Sequence, residues 1–516
     1  MTVIGSVHIW KIVDCIARDS NNSRNPVRKD VWKRQAMVKT RSTFAIPLML
    51  AILGLAATEH GSATRLPSLV FVETARESPD LFVRRFPLGS RLVRWSPDHA
   101  VPTDLTPDLY AAADPRVSFN GRQILFAGQR RRGGHWQVWR MAAMGGKPIQ
   151  VTHCAANCLR PAWLPGGWII YTLQGGEAGR LGSQIYRSRA NGGEPQPITF
   201  GPGNFRVEAV LPSGRLLVSA ASPLVADASR SARALYTLRP DGSALRLFRG
   251  SYPAHTVPGS ARAMPHGVVA FIARRAASAA HHAPAGWGDL AWYTPQSPHA
   301  VRVPRAMPAF NSIRPFQGQR WLLSGTALDK MAGCGIHIFD SATGRLAASV
   351  YSAPGITCAQ ATPLTSHPTP QLYFSLVNPQ LASGRVICLD AYRSPGAPGD
   401  HLPGGLMRVR VMALEHAQPE MLGAAQVEPD GSFYLRLPAN LPLRFDLLNA
   451  RGAVVKAQRS WIWIRPGEDA GCEGCHEGPA LTPVNHWPRV LRRLRAPIPI
   501  GLPAAAPRSA AKVRTR

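Results

Sequence analysis

Between about residues 115 and 392 one pattern of hydrophobic and polar positions keeps returning: a segment with Pro or Gly at a turn, a run of four or five apolar residues, and a second strand ending in another turn. The clearest copies are Arg116-Val-Ser-Phe-Asn-Gly-Arg-Gln-Ile-Leu-Phe-Ala, Arg160-Pro-Ala-Trp-Leu-Pro-Gly-Gly-Trp-Ile-Ile-Tyr and Arg206-Val-Glu-Ala-Val-Leu-Pro-Ser-Gly-Arg-Leu-Leu-Val, whose starts lie 44 and 46 residues apart. Each is followed by a strand and a turn of one type: Trp136 to Met141 before Gly145-Gly146, Gln184 to Ser188 before Gly192-Gly193, and Ala234 to Leu238 before Asp241-Gly242. Weaker copies run around Val268 to Tyr293, Trp321 to Phe339 and Leu372 to Leu389. Apolar runs this short, punctuated this often, are strands. A period near 45 residues with four short strands per unit predicts a β-propeller, whose blades close radially and leave few open edges. Six blades are expected, or seven if Leu69 to Thr74 and Leu92 to Trp95 contribute one.

After Tyr392 the pattern breaks at Ser394-Pro-Gly-Ala-Pro-Gly-Asp-His-Leu-Pro-Gly-Gly, and alternation resumes at Met407-Arg-Val-Arg-Val-Met-Ala. Glu428-Pro-Asp-Gly-Ser-Phe-Tyr-Leu-Arg-Leu-Pro and Leu443-Arg-Phe-Asp-Leu-Leu-Asn-Ala-Arg-Gly each read as a strand beside a turn, with further strands at Ala453 to Ala457 and Trp461 to Ile464. This is the grammar of a small β-sandwich. The fold class is therefore all-β: a six- or seven-bladed propeller over 64–392, a linker over 393–406 and a sandwich over 407–495. An Ala-, Pro- and Arg-rich tail over 496–516, without apolar periodicity, reads as disordered and basic. The propeller repeats resemble the TolB-like family, in which a Pro-x-Gly or Asp-Gly turn precedes an apolar strand. That resemblance implies a fold and no activity.

The formal net charge of +30 over 516 residues changes little in this picture. Residues 489–516 hold eight basic and no acidic side chains, and the first 63 residues hold nine basic against four acidic, so much of the excess sits at the ends. A nucleic-acid groove would concentrate it on one face. No nucleic-acid partner is expected, and the basic tail is suited instead to weak contact with an anionic membrane surface. Near the start, Lys39 and Arg41 precede an apolar stretch from Phe44 to Ala57 and the small residues Gly61-Ser62-Ala63. Residues 37–63 thus read as a secretory signal, too short in its apolar part for a confident membrane span, and 1–36 as an upstream extension of the reading frame. An uncleaved anchor beginning at Phe44 is the alternative. Either way the remainder faces an oxidising compartment, periplasmic or otherwise exported.

Chemistry enters at Cys472-Glu-Gly-Cys475-His476. Two thiols separated by two residues can add to the two vinyl groups of a haem, and the adjacent histidine then reaches the iron. Gly474 would leave room for the porphyrin edge. The competing readings are a zinc knuckle, which needs two further ligands, and a redox disulfide between Cys472 and Cys475, which belongs at a helix start in an α/β fold. One covalent haem c on Cys472, Cys475 and His476 is the leading expectation.

From Val427 to Glu477 the resemblance sharpens. The Glu-Pro-Asp-Gly-Ser-Phe turn, Leu-Pro-Ala-Asn-Leu-Pro-Leu-Arg-Phe, Arg459-Ser-Trp, Arg465-Pro-Gly-Glu and Gly-Cys-x-Gly-Cys-His-Glu resemble the middle domain of hydrazine synthase alpha subunits, a family that also places a propeller before this domain. The resemblance implies the same fold order and a haem. Two departures make hydrazine formation itself an unfavourable expectation. The family continues into a further haem-bearing domain, whereas no second Cys-x-x-Cys-His follows here and 40 residues remain after His476. The family's catalytic haem also uses a tyrosine shortly after the motif, where this sequence reads Glu477-Gly-Pro-Ala-Leu-Thr.

A sixth iron ligand would separate an electron carrier from an enzyme, because a Met or His closes the site to small molecules. His486 is the nearest candidate, with a plain loop residue as the alternative; Met407, Met412 and Met421 are others, methionine being more often core filler. In the propeller, His153-Cys154-Ala-Ala-Asn-Cys158 predicts a local disulfide between Cys154 and Cys158. The resembled family implies the other option, a propeller cysteine that helps bind a metal. Cys334 and Cys358 are candidates to pair, which leaves Cys388 odd. The leading functional expectation is an exported monohaem cytochrome transferring electrons to a redox partner protein within a complex. The alternatives are a haem oxidoreductase acting on a small nitrogen or oxygen species, and a non-redox propeller scaffold.

Overall fold

A computed structural model describes residues 66–75, 89–175, 182–221, 233–249, 256–275, 287–294, 297–304, 307–325, 333–394, 401–415, 418–458, 460–474, 487–492 and 496–502. Residues 37–63, expected to be a secretory signal, and residues 1–36, expected to be an upstream extension, lie outside them. Among the described residues no helix is long and apolar enough to cross a membrane.

Among the described residues eight four-stranded sheets carry the fold. In chain order the first strands are β1 Leu69–Ala75, β2 Arg91–Ser96 and β3 His99–Asp104. Five complete sheets follow: β4 Ala111–Val117, β5 Gln123–Gln129, β6 Gln137–Ala142 and β7 Ile149–Gln150; β8 Asn157–Leu164, β9 Trp168–Gln174, β10 Gln184–Arg189 and β11 Gln196–Pro197; β12 Arg206–Val210, β13 Leu216–Ala221, β14 Arg233–Leu238 and β15 Arg246–Arg249; β16 Thr256–Ala263, β17 Val269–Arg275, β18 Asp289–Thr294 and β19 Ser297–Arg302; and β20 Phe310–Pro315, β21 Arg320–Gly325, β22 Cys334–Asp340 and β23 Arg345–Ala353. β24 Ile356–Pro363 then pairs antiparallel with β1 and completes the first sheet. The innermost strands neighbour one another in the closed order β4, β8, β12, β16, β20, β24 and back to β4. This is a six-bladed propeller. The Leu69 and Leu92 segments do form strands, but in a blade that the end of the propeller closes, so no seventh blade arises.

The blades hold together through side chains trapped between them. Trp292 of β18 meets the next blade edge-on at Trp321 of β21, 5.4 Å away, while Phe339, the register partner of Trp321 in that blade, lies 5.7 Å from Trp292. Fully burying one such side chain is worth roughly 1.5–3 kcal/mol. A disulfide between Cys334 of β22 and Cys358 of β24, with Cα atoms 5.4 Å apart, staples the last blade to the closing strand. Its 24-residue separation stabilises by about 3 kcal/mol on chain-entropy grounds.

Leu372 to Leu389, read above as a weak blade copy, is not one. The ring is already closed by β24, so Leu372, Phe374 and Leu376 run exposed and strandless across the hairpin turns. The polypeptide then enters the sandwich at β25 Ser383–Cys388, earlier than the linker at 393–406 would place it. The remaining strands are β26 Leu406–Glu415, β27 Gln418–Gln426, β28 Phe433–Pro438, β29 Leu443–Asn449, β30 Val454–Ala457, β31 Asp469–Cys472 and β32 Ile498–Pro499. They form two sheets, ordered β31-β25-β28-β32 and β27-β26-β29-β30. In β28 burial alternates residue by residue, so that Phe433, Leu435 and Leu437 face the other sheet. Val409, Val411 and Leu447 meet them from the opposite side. The tail also begins ordered: Leu435 pairs with Ile498, and Ile500 is buried in the sandwich core. Two apolar isoleucines beside an open sheet edge outweigh the Ala- and Pro-rich composition there.

Candidate functional site at the end of the sandwich sheet

β31 ends on Cys472. It runs parallel to β25, with Cys388 directly opposite Cys472 in register, and the Leu389 amide donates to the Cys472 carbonyl at 2.9 Å. The Cys472 side chain is half-buried against the sandwich core. Glu473 and Gly474 then bend away over the turn at Asp390–Arg393. A Cβ on Gly474 would come within 2.6 Å of the Arg393 carbonyl oxygen. The glycine is thus demanded by this close approach, whatever room it also leaves for a bound group. Cys475, His476 and His486 lie outside the described residues.

The six residues before β31, Trp463 to Glu468, tie this strand to the propeller. Trp463 leaves the sandwich and inserts between Phe200 and Phe205, edge-on to Phe205 at 5.4 Å, and its indole Nε1 donates to the Gly242 carbonyl at 2.9 Å. Arg465 lies over the Phe200 ring at 4.6 Å and donates to Asn440 Oδ1 at 2.6 Å. The Glu468 carboxylate accepts from the Ala244 amide at 2.6 Å and from the Arg465 amide at 2.8 Å. Burial, and secondarily Asp241, raise its pKa above the usual carboxylate value. Asp241 in turn holds the crossing segment, accepting from Ser375 Oγ at 3.1 Å and from the Leu376 amide at 3.3 Å. The Cys-x-x-Cys-His peptide therefore starts from a strand braced on both domains. Sequence reading had marked Arg465-Pro-Gly-Glu only as a family signature; its bracing role depends on contacts some 220 residues away.

The methionines are placed away from this strand. Val409, Val411 and Ala413 of β26 face the core, so Met412 points outward, and Met407 and Met421 are 51% and 58% exposed. All three lie on the sheet opposite that of Cys472. His401, not singled out from the sequence, forms a bridge with Arg393, the residue against which Gly474 packs, and its ring stacks on Tyr392 at 5.5 Å. In the propeller, the Cys154 and Cys158 sulfurs are 2.8 Å apart. A hydrogen bond from Cys158 lowers the Cys154 pKa, while the same bond and burial push that of Cys158 up. His153 turns outward to Gln150 Nε2, 3.2 Å away.

Fold and site together define a class: a six-bladed propeller joined through Trp463, Arg465 and Glu468 to a β-sandwich whose edge strand runs into a Cys-x-x-Cys-His peptide. Residues 385–477 match the profile of the hydrazine synthase alpha subunit middle domain. Over 137 residues, 26% of this chain and 16% of the relative, the sequence is 28% identical to hydrazine synthase subunit alpha of Kuenenia stuttgartiensis. The structure superposes on Kuenenia stuttgartiensis hydrazine synthase with a TM-score of 0.71 at 17% identity, covering 83% of this chain and 72% of that one. TolB from Acinetobacter baumannii matches at a TM-score of 0.41 and 12% identity over 57% of this chain and 66% of that one. The similarity to the hydrazine synthase alpha subunit middle domain thus lies over residues 385–477, and the curated relative is spanned over 16% of its own length.

Proposed function

We propose that this chain is an exported redox protein with one covalent haem c, held by thioether links from Cys472 and Cys475 and by His476 on the iron. The observation that carries the reading is the seat of Cys472: a half-buried thiol at the end of a strand fixed by the sandwich on one side and by Trp463 and Glu468 on the other. A cofactor attached there would be held with little freedom to reorient, which suits redox chemistry. Haem supplies one-electron chemistry at iron; the protein's part is to anchor it, orient it and limit access to its faces.

Between the two redox readings, one feature favours an oxidoreductase acting on a small nitrogen or oxygen species over a closed electron carrier. The thioethers of Met407, Met412 and Met421 are on the sheet opposite that of Cys472, which leaves His486, outside the described residues, as the remaining candidate to close the iron. Electrons would come from or pass to a redox partner protein. Stopped-flow mixing of the reduced holoprotein with carbon monoxide distinguishes the readings: rapid, stoichiometric binding is expected at an open iron. A six-coordinate low-spin spectrum unchanged by carbon monoxide would instead assign electron transfer.

A further inference from the structure

The axis of the propeller holds a feature that neither the haem site nor the family resemblance uses. Each of the six innermost strands breaks register at one place: between Ala113 and Arg116, Leu159 and Ala162, Val207 and Ala209, Gly259 and Arg262, Phe310 and Ser312, and, in β24, between Ala359 and Thr362. The extra residues of these bulges turn polar side chains toward the axis, and Asp114, Arg160, Ser260 and Gln360 take positive φ to do so. A positive φ is uncommon outside glycine and marks a conformation that the surrounding structure enforces.

The result is a buried polar ring with unequal charge. Asp114 accepts from the Arg160 amide at 3.0 Å and from Gln360 Nε2 at 2.9 Å. Glu208 accepts from Arg160 Nη1 at 3.1 Å and from Ser219 Oγ at 2.7 Å, and Arg262 Nη1 approaches it to 3.6 Å. Against these two carboxylates stand four guanidinium groups, Arg116, Arg160, Arg262 and Arg314. Arg262 and Arg314 are 5% and 4% exposed. Among the described residues Arg314 donates hydrogen bonds to neutral groups, the Ile313 carbonyl at 3.1 Å and Thr362 Oγ1 at 3.3 Å. Arg160 Nε, Arg262 Nε and Arg314 Nη2 are buried donors without an acceptor. Burial and mutual repulsion press Arg262 and Arg314 well below the ordinary arginine pKa. A guanidinium nevertheless keeps its proton in proteins, so the charge stays and wants a counter-charge.

We propose that the propeller axis is a binding site for a small dianionic oxyanion of the phosphate or sulfate class, held by Arg262 and Arg314 with Arg116 and Arg160 beside them. Planar guanidinium forks match such an ion in charge and in geometry. Burial, with the neighbouring Arg160 adding to it, presses the Arg116 pKa down to about 10.

The test uses the full chain exchanged into chloride, titrated with inorganic phosphate and with sulfate at constant ionic strength, followed by calorimetry and thermal unfolding. One saturable site is expected, with Tm rising as the logarithm of ligand concentration beyond saturation. Arg314→Gln should weaken binding at least tenfold while raising the Tm of the ligand-free protein. Thr362→Glu, which sets a carboxylate beside Arg314 Nε, should do the same without removing an arginine, and it decides the matter if Arg314→Gln does not fold. Equal effects of chloride and phosphate on the parent chain, or undiminished affinity in the folded variants, would overturn the proposal.

Discussion

The propeller axis and the interior of the sandwich are both lined by β-strands, yet they bury opposite things. Between the sandwich sheets lie Val409, Val411, Leu435, Leu437 and Leu447; β28 alternates residue by residue, while β26 and β29 carry register shifts of their own around an apolar interior. Around the axis every inner strand is bulged, and Asp114, Arg160, Glu208, Arg262, Arg314 and Gln360 are buried instead. An apolar interior stabilises through the area it removes from water. A bulge costs ladder hydrogen bonds and is retained where a side chain must be re-aimed. The sandwich is thus the rigid mount for the Cys-x-x-Cys-His peptide, while the axis carries a second, electrostatic specialisation.

Substitutions that break this contrast should differ in size. Glu208→Ala should be the most damaging, because it strips Arg160 and Arg262 of their carboxylate; a loss of about 3–5 kcal/mol is expected in urea unfolding. Trp463→Ala should cost about 3 kcal/mol by opening a cavity between Phe200 and Phe205. It should also expose the segment before β31 to limited proteolysis, which the axis variant should not.

Glu468→Gln sharpens the account through pH. The folded state holds the Glu468 proton above the usual value of 4.5. The unfolded chain releases it first, so the contribution of Glu468 is fully present below that value and is lost as pH rises through the raised folded pKa. In Glu468→Gln this decline of stability with rising pH should be absent, as read from unfolding curves between pH 4 and neutrality. Smallest of all, Arg385→Ala removes an ion pair with Asp469 whose side chains are 46% and 59% exposed. Less than about 1 kcal/mol is expected, and less still in high salt.

The blades were legible from the sequence because the 45-residue period and the Gly turns are local signals. The Cys-x-x-Cys-His peptide was legible because its chemistry needs fixed spacing. Two things were not. A bulge shifts one backbone residue without altering composition, so Arg116 and Arg160 looked like repeat starts and their inward aim was invisible. Leu372 to Leu376 carried the residues of a strand, but the last place in the ring had been filled by Ile356–Pro363. Only closure of the ring decides between those two segments. The early start of the sandwich at Ser383 went unread for a related reason, since its partners are Phe433–Pro438 and Asp469–Cys472, far along the chain.

The central claim, covalent haem c on Cys472 and Cys475, is tested most directly by intact mass together with a pyridine haemochrome spectrum, after maturation in a host that assembles c-type cytochromes. The mature chain should carry the added mass of one haem and give the spectrum of a doubly thioether-linked group, both lost in Cys472→Ala/Cys475→Ala. A colourless chain at its unmodified mass would contradict the account.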